Sequence, residues 1–502
     1  MRAFRHIALV AFVAGCATVG RTGSPAPGAA ASPTRVALRQ FIDSMIGDSE
    51  FRSANWGILI VDPDRHDTLY SLNADKLFMP ASNMKLVTGA TAVTQLGLEY
   101  RWTTTLFARG AVRDGTLLGD LVVRGNGDPS VSAHMQKGDA LAPLRALADS
   151  LRAHGITRIQ GRLAAAPSPF VDSPLGYGWS WSDLDDSYSA GVDALYFNEG
   201  FTEIVVKGGA RPGEPVSAYT RPASSFPSLI VKARTVAKLA PTASAADTSA
   251  ARIRVDVSQD SSRTGVLVTG NIVAGDSTIV EITFRDQTAA YLSALREAFA
   301  AKGIIVDNAS TDAGARNDSL FAVRSPSLRE VLPFFQKPSQ NQIGELLFKT
   351  LALEKTGIGR ADSASRVVSR QLVAWGAEAD GFAVRDGSGL SRHDYLAPRT
   401  IIHVLHAIRQ HPDFNVFFDA LPIAGVDGTI RARMKGTPAE GNVHAKTGTL
   451  DKARALSGFV KTADGRVLLF SALCNNYSVP TRRVDRVTDA LGARLASMRL
   501  DP

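Results

Sequence analysis

Ser82-Asn83-Met84-Lys85 opens the stretch on which the fold turns. Beyond it Val87, Ala90, Val93 and Leu96 recur at near-helical spacing, which predicts a helix over 82–98. Three positions along a helix is close to one turn, so the side chains of Ser82 and Lys85 share a face and can meet. Upstream, 56–61 and 68–72 are apolar runs separated by Asp62-Pro63-Asp64, and read as a hairpin. From 101 to 285 the texture changes: short β-like runs at 121–123, 202–206, 253–257, 265–269 and 278–284 alternate with Gly/Pro/Ser turns.

Helical texture then returns. Ser327-Leu328-Arg329-Glu330 has the form of a capping box, opening a helix to about 336. Further helices are expected over 341–354 and over 398–409, where Ile401, Ile402, Leu405 and Ile408 recur. Strands at 455–460 and 466–473 flank Ala463-Asp464-Gly465, and a last helix carries Val484, Val487, Leu491 and Leu495 on one face. The reading that fits all of this is one α/β (α+β) domain, with a central sheet flanked by helices, split in sequence as 35–100 and 286–502. One or two mostly β modules are inserted at 101–285.

The chain of 502 residues is long enough for several domains. Its 45% apolar and 21% charged residues are the balance of a globular protein rather than a disordered one. The net charge of +8 is not gathered into a run of five or six Lys/Arg, which argues against nucleic acid as a partner. Arg2, Arg5 and His6 precede a nine-residue apolar run, 7–15, too short to span a bilayer but suited to a signal peptide. Val13-Ala14-Gly15-Cys16 resembles a bacterial lipobox, in which Cys16 becomes the lipid-bearing first residue; an ordinary secretory signal cleaved near Ala17 is the alternative. Residues 1–16 are thus read as signal and 17–34, rich in Gly, Ala, Ser and Pro, as a flexible linker. Cys474 is the other cysteine, so no internal disulfide framework and no cysteine metal site is expected.

Two further short motifs follow the first. Ser339-Gln340-Asn341 lies at the turn between two predicted helices, where a hydroxyl and an amide can relay a proton; a plain helix N-cap is the other reading. Lys446-Thr447-Gly448-Thr449 precedes a predicted strand. On a sheet edge, Lys446 and Thr447 can hold a substrate carboxylate, and Gly448 lets a substrate approach the backbone. The N–H groups of Thr449 and Ser82 can form an oxyanion hole, in which one donor is worth about 2.7–4 kcal/mol in the transition state. A serine hydroxyl needs a base to become a nucleophile, and a desolvated Lys85 can serve. Lys355-Thr356-Gly357 repeats the third triplet, but at a predicted helix end, where Gly357 caps and Lys355 faces the negative end of the dipole.

The ordered trio closely resembles the signature of penicillin-binding proteins and serine β-lactamases. With 254 positions between Lys85 and Ser339, the chain resembles the low-molecular-mass class C penicillin-binding proteins, a group known for a large insertion at this point. Gly125-Asn126-Gly127-Asp128-Pro129, Gly178-Trp179-Ser180-Trp181, Tyr188-Ser189-Ala190, Asp386-Gly387-Ser388-Gly389-Leu390-Ser391-Arg392 and Gly425-Val426-Asp427-Gly428-Thr429 are similar to segments of that group, which often has Asp where Gln340 stands here. The resemblance implies a D-Ala-D-Ala carboxypeptidase or endopeptidase of the cell envelope, periplasmic side, acting on peptidoglycan stem peptides. It implies Ser82 as nucleophile, Lys85 as base, Ser339 and Asn341 assisting, Lys446 and Thr447 on the terminal carboxylate, β-lactams as acylating inhibitors, and neither cofactor nor metal. A β-lactamase-like hydrolase and a non-catalytic envelope scaffold remain the alternatives; the long insertion opposes the first, and the intact Ser82, Lys85, Ser339, Asn341 and Lys446 oppose the second.

No Gly-x-Ser-x-Gly elbow is present, and His403, His406 and His411 lack an acidic ligand at matching spacing. Asp386, Ser388 and Asp427 sit in turn-like surroundings that suit loop bracing as well as substrate contact. Replacing Lys355 by Ala is expected to leave acylation by benzylpenicillin nearly intact, whereas Lys446→Ala cripples it; the reverse ranking would exchange the two triplets.

Overall fold

The computed structural model describes residues 32–238, 254–260, 264–309 and 318–500, so the apolar start and Cys16 lie outside the described residues. The strand Val467–Asn475 is apolar at nearly every position because both of its faces are covered. Leu469 and Leu473 point into one hydrophobic cluster, while Leu468, Phe470, Ala472 and Cys474 point into another on the opposite face. It is the central strand of an antiparallel sheet ordered Asp67–Leu72, Asn55–Asp62, Val467–Asn475, Ala453–Lys461, His444–Leu450. Helices Pro33–Ile46 and Thr481–Ser497 cover one face; Met84–Leu96, Leu328–Gln336, Asn341–Thr356, Ala361–Ala374 and Pro398–Arg409 cover the other.

Lys446-Thr447-Gly448, which the sequence placed just before a strand, lies within a strand of its own at the sheet edge. The helix expected from Ser82 begins two residues later: Ala81–Asn83 is a 3-10 turn, entered through Ala81 at φ 47°, and the α-helix is Met84–Leu96. Gly97, at φ 80°, ends it. Ser327 does open the helix Leu328–Gln336 as a capping box, its N–H and hydroxyl both donating to Glu330 at 2.8 Å. The repeated triplet ends the helix Asn341–Thr356, with Gly357 left-handed at φ 77° and Lys355 exposed.

Packing moves one expected boundary. The helix Gln287–Ala301, placed by sequence in the catalytic domain from 286 onward, buries Tyr291, Leu295 and Phe299 against Leu144, Leu147 and Leu151 of the helix Ala142–Ala153. The strand Asp318–Ser327 pairs along Arg101–Arg109, in a sheet completed by Asp120–Arg124 and Leu163–Ala165. The inserted part therefore returns at Ser327, because the apolar face of Gln287–Ala301 finds its partners there rather than on the catalytic sheet. Its first module is mixed helix and strand, not mostly β. In the second, the described residues form strands: Phe201–Lys207, Ser217–Arg221 and Ser277–Thr283 close on Gly265–Val273 and its neighbours around Ile204, Val206, Val266 and Val268.

Trp102, on the first inserted strand, is fully buried in the catalytic core and donates its indole N–H to Thr350 Oγ1 at 2.9 Å. Trp102→Ala is expected to lower unfolding free energy by about 3–5 kcal/mol, read from denaturant titration; a loss under about 1 kcal/mol would show that the insertion is not anchored through this residue.

Candidate active site

The 3-10 turn and the edge strand are held face to face. Asn83 donates from Nδ2 to the Lys446 carbonyl at 2.9 Å, tying the first motif to the third. A Cβ on Gly448 would stand 2.4 Å from the Pro80 carbonyl oxygen and 3.2 Å from Ala81 Cβ. The absent side chain thus serves the contact between strand and the turn that carries Ser82, where the sequence reading had placed a substrate.

Lys85 projects from the first turn of its helix and is fully buried. Its Nζ lies 2.9 Å from Ser82 Oγ, 2.5 Å from Asn341 Oδ1 and 2.7 Å from the Ser388 carbonyl. Burial pushes its pKa down from the usual lysine range to about 7, opposed by the nearby carboxyl groups of Asp386, Glu345 and Asp394. Lys446 is also fully buried; its Nζ donates to Ser339 Oγ at 2.7 Å and to the Thr447 carbonyl at 3.2 Å. Burial, and then the charge of Lys85, hold its pKa well below normal. The second motif is thus divided between the lysines: Ser339 on Lys446, Asn341 on Lys85. Gln340 between them caps the helix Asn341–Thr356, accepting from the N–H groups of Gln342 and Ile343.

The loop carrying the Ser388 carbonyl is fixed by buried carboxylates. Asp386 accepts from the N–H groups of Ser388, Gly389 and Ser391 and from Trp179 Nε1 at 2.7–3.1 Å. Glu345 accepts from Ser388 N–H at 2.9 Å, and burial raises its pKa to about 8. Asp394, raised well above the carboxylate range by burial and then by Asp386, accepts from Arg385 N–H at 2.6 Å. Asp386 and Ser388 brace the loop. Asp427 does likewise on the far wall, pairing with Lys337 Nζ at 2.6 Å, beside Thr429, whose Oγ1 accepts from Thr447 Oγ1 at 2.8 Å.

A cleft of about 570 Å³ opens over these groups, lined by Ser82, Ser339, Asn341, Thr447 and Thr449, with Asp183 and Tyr188 from the insertion. A larger cavity of about 890 Å³ within the insertion, beside Asp185, Asp193 and Asp286, holds none of the three motifs. Sequence reasoning missed Glu345, Asp394 and the carbonyls of Ser388 and Tyr188. Glu345 carried a signal, a lone acid one turn beyond Asn341 on a buried helix face; a backbone carbonyl carries none.

Fold and site together define a serine-type peptidase of the transpeptidase/β-lactamase-like class. The chain belongs to the D-Ala-D-Ala carboxypeptidase 3 (S13) family, whose model matches residues 38–497. The D-alanyl-D-alanine carboxypeptidase of Actinomadura sp. (strain R39) is 32% identical over 490 residues, which cover 94% of this chain and 87% of that one. The D-alanyl-D-alanine carboxypeptidase DacB of Haemophilus influenzae is 27% identical over 440 residues, covering 85% and 86%. The crystal structure of penicillin binding protein 4 (dacB) from Haemophilus influenzae superposes with a TM-score of 0.76 at 24% identity, covering 93% of this chain and all of that one.

Gly448→Ala is expected to displace the edge strand from the Ser82 turn and to slow acylation of Ser82 about 100-fold, measured as adduct formation by intact mass. An unchanged rate would show that the contact with Pro80 is dispensable.

Proposed function

We propose that the protein is a serine-type D-Ala-D-Ala carboxypeptidase of the cell envelope that acts on peptidoglycan stem peptides through a Ser82 acyl-enzyme and is acylated there by β-lactams. The observation that carries this reading is the set of partners around Lys85 Nζ. The Ser388 carbonyl only accepts. Asn341 presents its Oδ1 because its Nδ2 donates to the Tyr188 carbonyl at 2.7 Å. A neutral amine spends its two N–H bonds on these acceptors, and its lone pair is left facing the Ser82 hydroxyl at 2.9 Å.

Lys85 then takes the hydroxyl proton as Ser82 Oγ forms a bond to the carbonyl carbon of the penultimate D-Ala. The N–H groups of Ser82 and Thr449 receive the oxyanion. The C–N bond breaks, the proton passes to the leaving amine with Ser339 and Asn341 assisting, and water releases the acyl group by the same route. Lys446 and Thr447, on the edge strand beside the cleft, hold the terminal carboxylate of the substrate. Cross-links present the same D-residue bond, so endopeptidase action uses the same groups. For the N-terminus, the apolar run ending at Cys16 supports export and lipidation, with the folded part tethered on the periplasmic side; labelled palmitate entering the wild-type chain but not Cys16→Ser tests this, and no incorporation into either refutes it.

The acyl-enzyme is tested by the mass of the mature chain after brief exposure to benzylpenicillin. One penicilloyl group is expected on the wild type and none on Ser82→Ala; rapid turnover with no adduct would instead make the protein a β-lactamase. The rate also has a sign in pH. Below about 7 the Lys85 ammonium predominates and cannot accept a proton, so acylation is expected to fall about tenfold per pH unit on the acid side. A rate flat from pH 5 to 8 would remove Lys85 as the base.

A further inference from the structure

The second motif is gripped from the inserted part at the residue between its two functional side chains. Gln340 spends its Oε1 on the helix N-terminus, accepting from Gln342 N–H at 2.6 Å and Ile343 N–H at 3.2 Å, and so turns its Nε2 outward. That amide donates to Glu199 Oε2 at 2.8 Å. The Glu199 end of the bond sits on left-handed backbone, and Gln340, itself extended, directly follows a left-handed residue. Ser339 is at φ 65°, and Asn198, Glu199 and Gly200 follow one another at 48°, 55° and 79°. Three consecutive left-handed residues are held in place by Asn198, which accepts from Ala133 N–H at 3.1 Å and donates to the Phe201 carbonyl at 2.9 Å. The Glu199 side chain is only 15% exposed. Its Oε1 is buried without a hydrogen bond and faces His134 Nδ1 at 3.4 Å, and the His134 ring packs edge-on against Phe334 of the helix that leads into the motif. The Glu199 carboxylate raises the His134 pKa, as an imidazolium beside it would require.

We infer that Glu199, carried in by the insertion, is a positioning residue for the acyl transfer: through Gln340 it sets where Ser339 meets Lys446 and where Asn341 meets Lys85. The inference rests on the acyl-transfer reading of Ser82. It accounts for an amide at 340. A carboxylate there would still cap the helix, but it would lose the donor and stand against Glu199.

The test exchanges donor and acceptor. Gln340→Glu keeps the cap but loses the donor and sets two carboxylates side by side, so it is expected to stay folded with a lowered thermal midpoint while acylation by benzylpenicillin falls about 10–100-fold. Adding Glu199→Gln to it restores a donor–acceptor pair in the reverse sense, and the double variant is expected to recover at least tenfold of the loss. A cap-only role for Gln340 would leave Gln340→Glu as fast as the wild type, and a general disturbance would leave its defect unrelieved by Glu199→Gln; either result overturns the positioning role. The wild type and Ser82→Ala run beside them. Absence of a Ser82 adduct on the wild type would overturn the acyl-transfer reading and this inference with it, whereas a normal wild-type rate with an unaffected Gln340→Glu overturns the positioning role alone.

Discussion

Two lysine amines buried in one site are the constraint to which the rest of the structure answers. An ammonium taken out of water is costly unless it is paired or loses its proton, and Lys85 and Lys446 are both without solvent exposure. Among the described residues no carboxylate forms a direct ion pair with either. The protein surrounds them with acceptors that bear no full charge: the Ser388 and Thr447 carbonyls, the Asn341 amide and the hydroxyls of Ser82 and Ser339. The carboxyl groups of Asp386, Glu345 and Asp394 stand one layer further out, near enough to oppose the fall in the Lys85 pKa and too far to hold its proton. Burial acts on them in the opposite sense, lifting Glu345 and Asp394. The outcome is an amine near neutrality beside a hydroxyl, which is the condition for general-base activation of serine.

The inserted part adds to the cover around these amines. Trp179 donates to Asp386, Tyr188 accepts from Asn341, and the Ser187 carbonyl accepts from Gln342 Nε2 at 2.9 Å. Deeper down, Asp172 pairs with Lys349 at 2.6 Å and accepts from the N–H of Ala361 at 2.6 Å, joining two helices of the catalytic core. Together with Trp102 these contacts make the insertion part of the site's wall rather than an appendage. The same contacts explain why the segments Gly178-Trp179-Ser180-Trp181 and Tyr188-Ser189-Ala190 stand out in the sequence although they lie far along the chain from the three motifs.

The amino-acid sequence by itself determined the elements and the chemistry that depend on local period and spacing. The meeting of Ser82 with Lys85 follows from their spacing of three residues, the strand Val467–Asn475 from its largely apolar run, the capping box at Ser327 from its four residues, and the structural role of Lys355-Thr356-Gly357 from its place at a helix end. Only the tertiary structure decided what depends on chain segments meeting at long range. It placed Gln287–Ala301 with the insertion, because an apolar helix face reads the same whichever surface it will cover. It assigned Ser339 to one lysine and Asn341 to the other, and brought the Tyr188 and Ser388 carbonyls onto the site, because every residue has a carbonyl and sequence does not mark which one will be used. It also gave Gly448 its reason, the nearness of Pro80, since the space beside a glycine belongs to its neighbours in the fold and not to its neighbours in the chain.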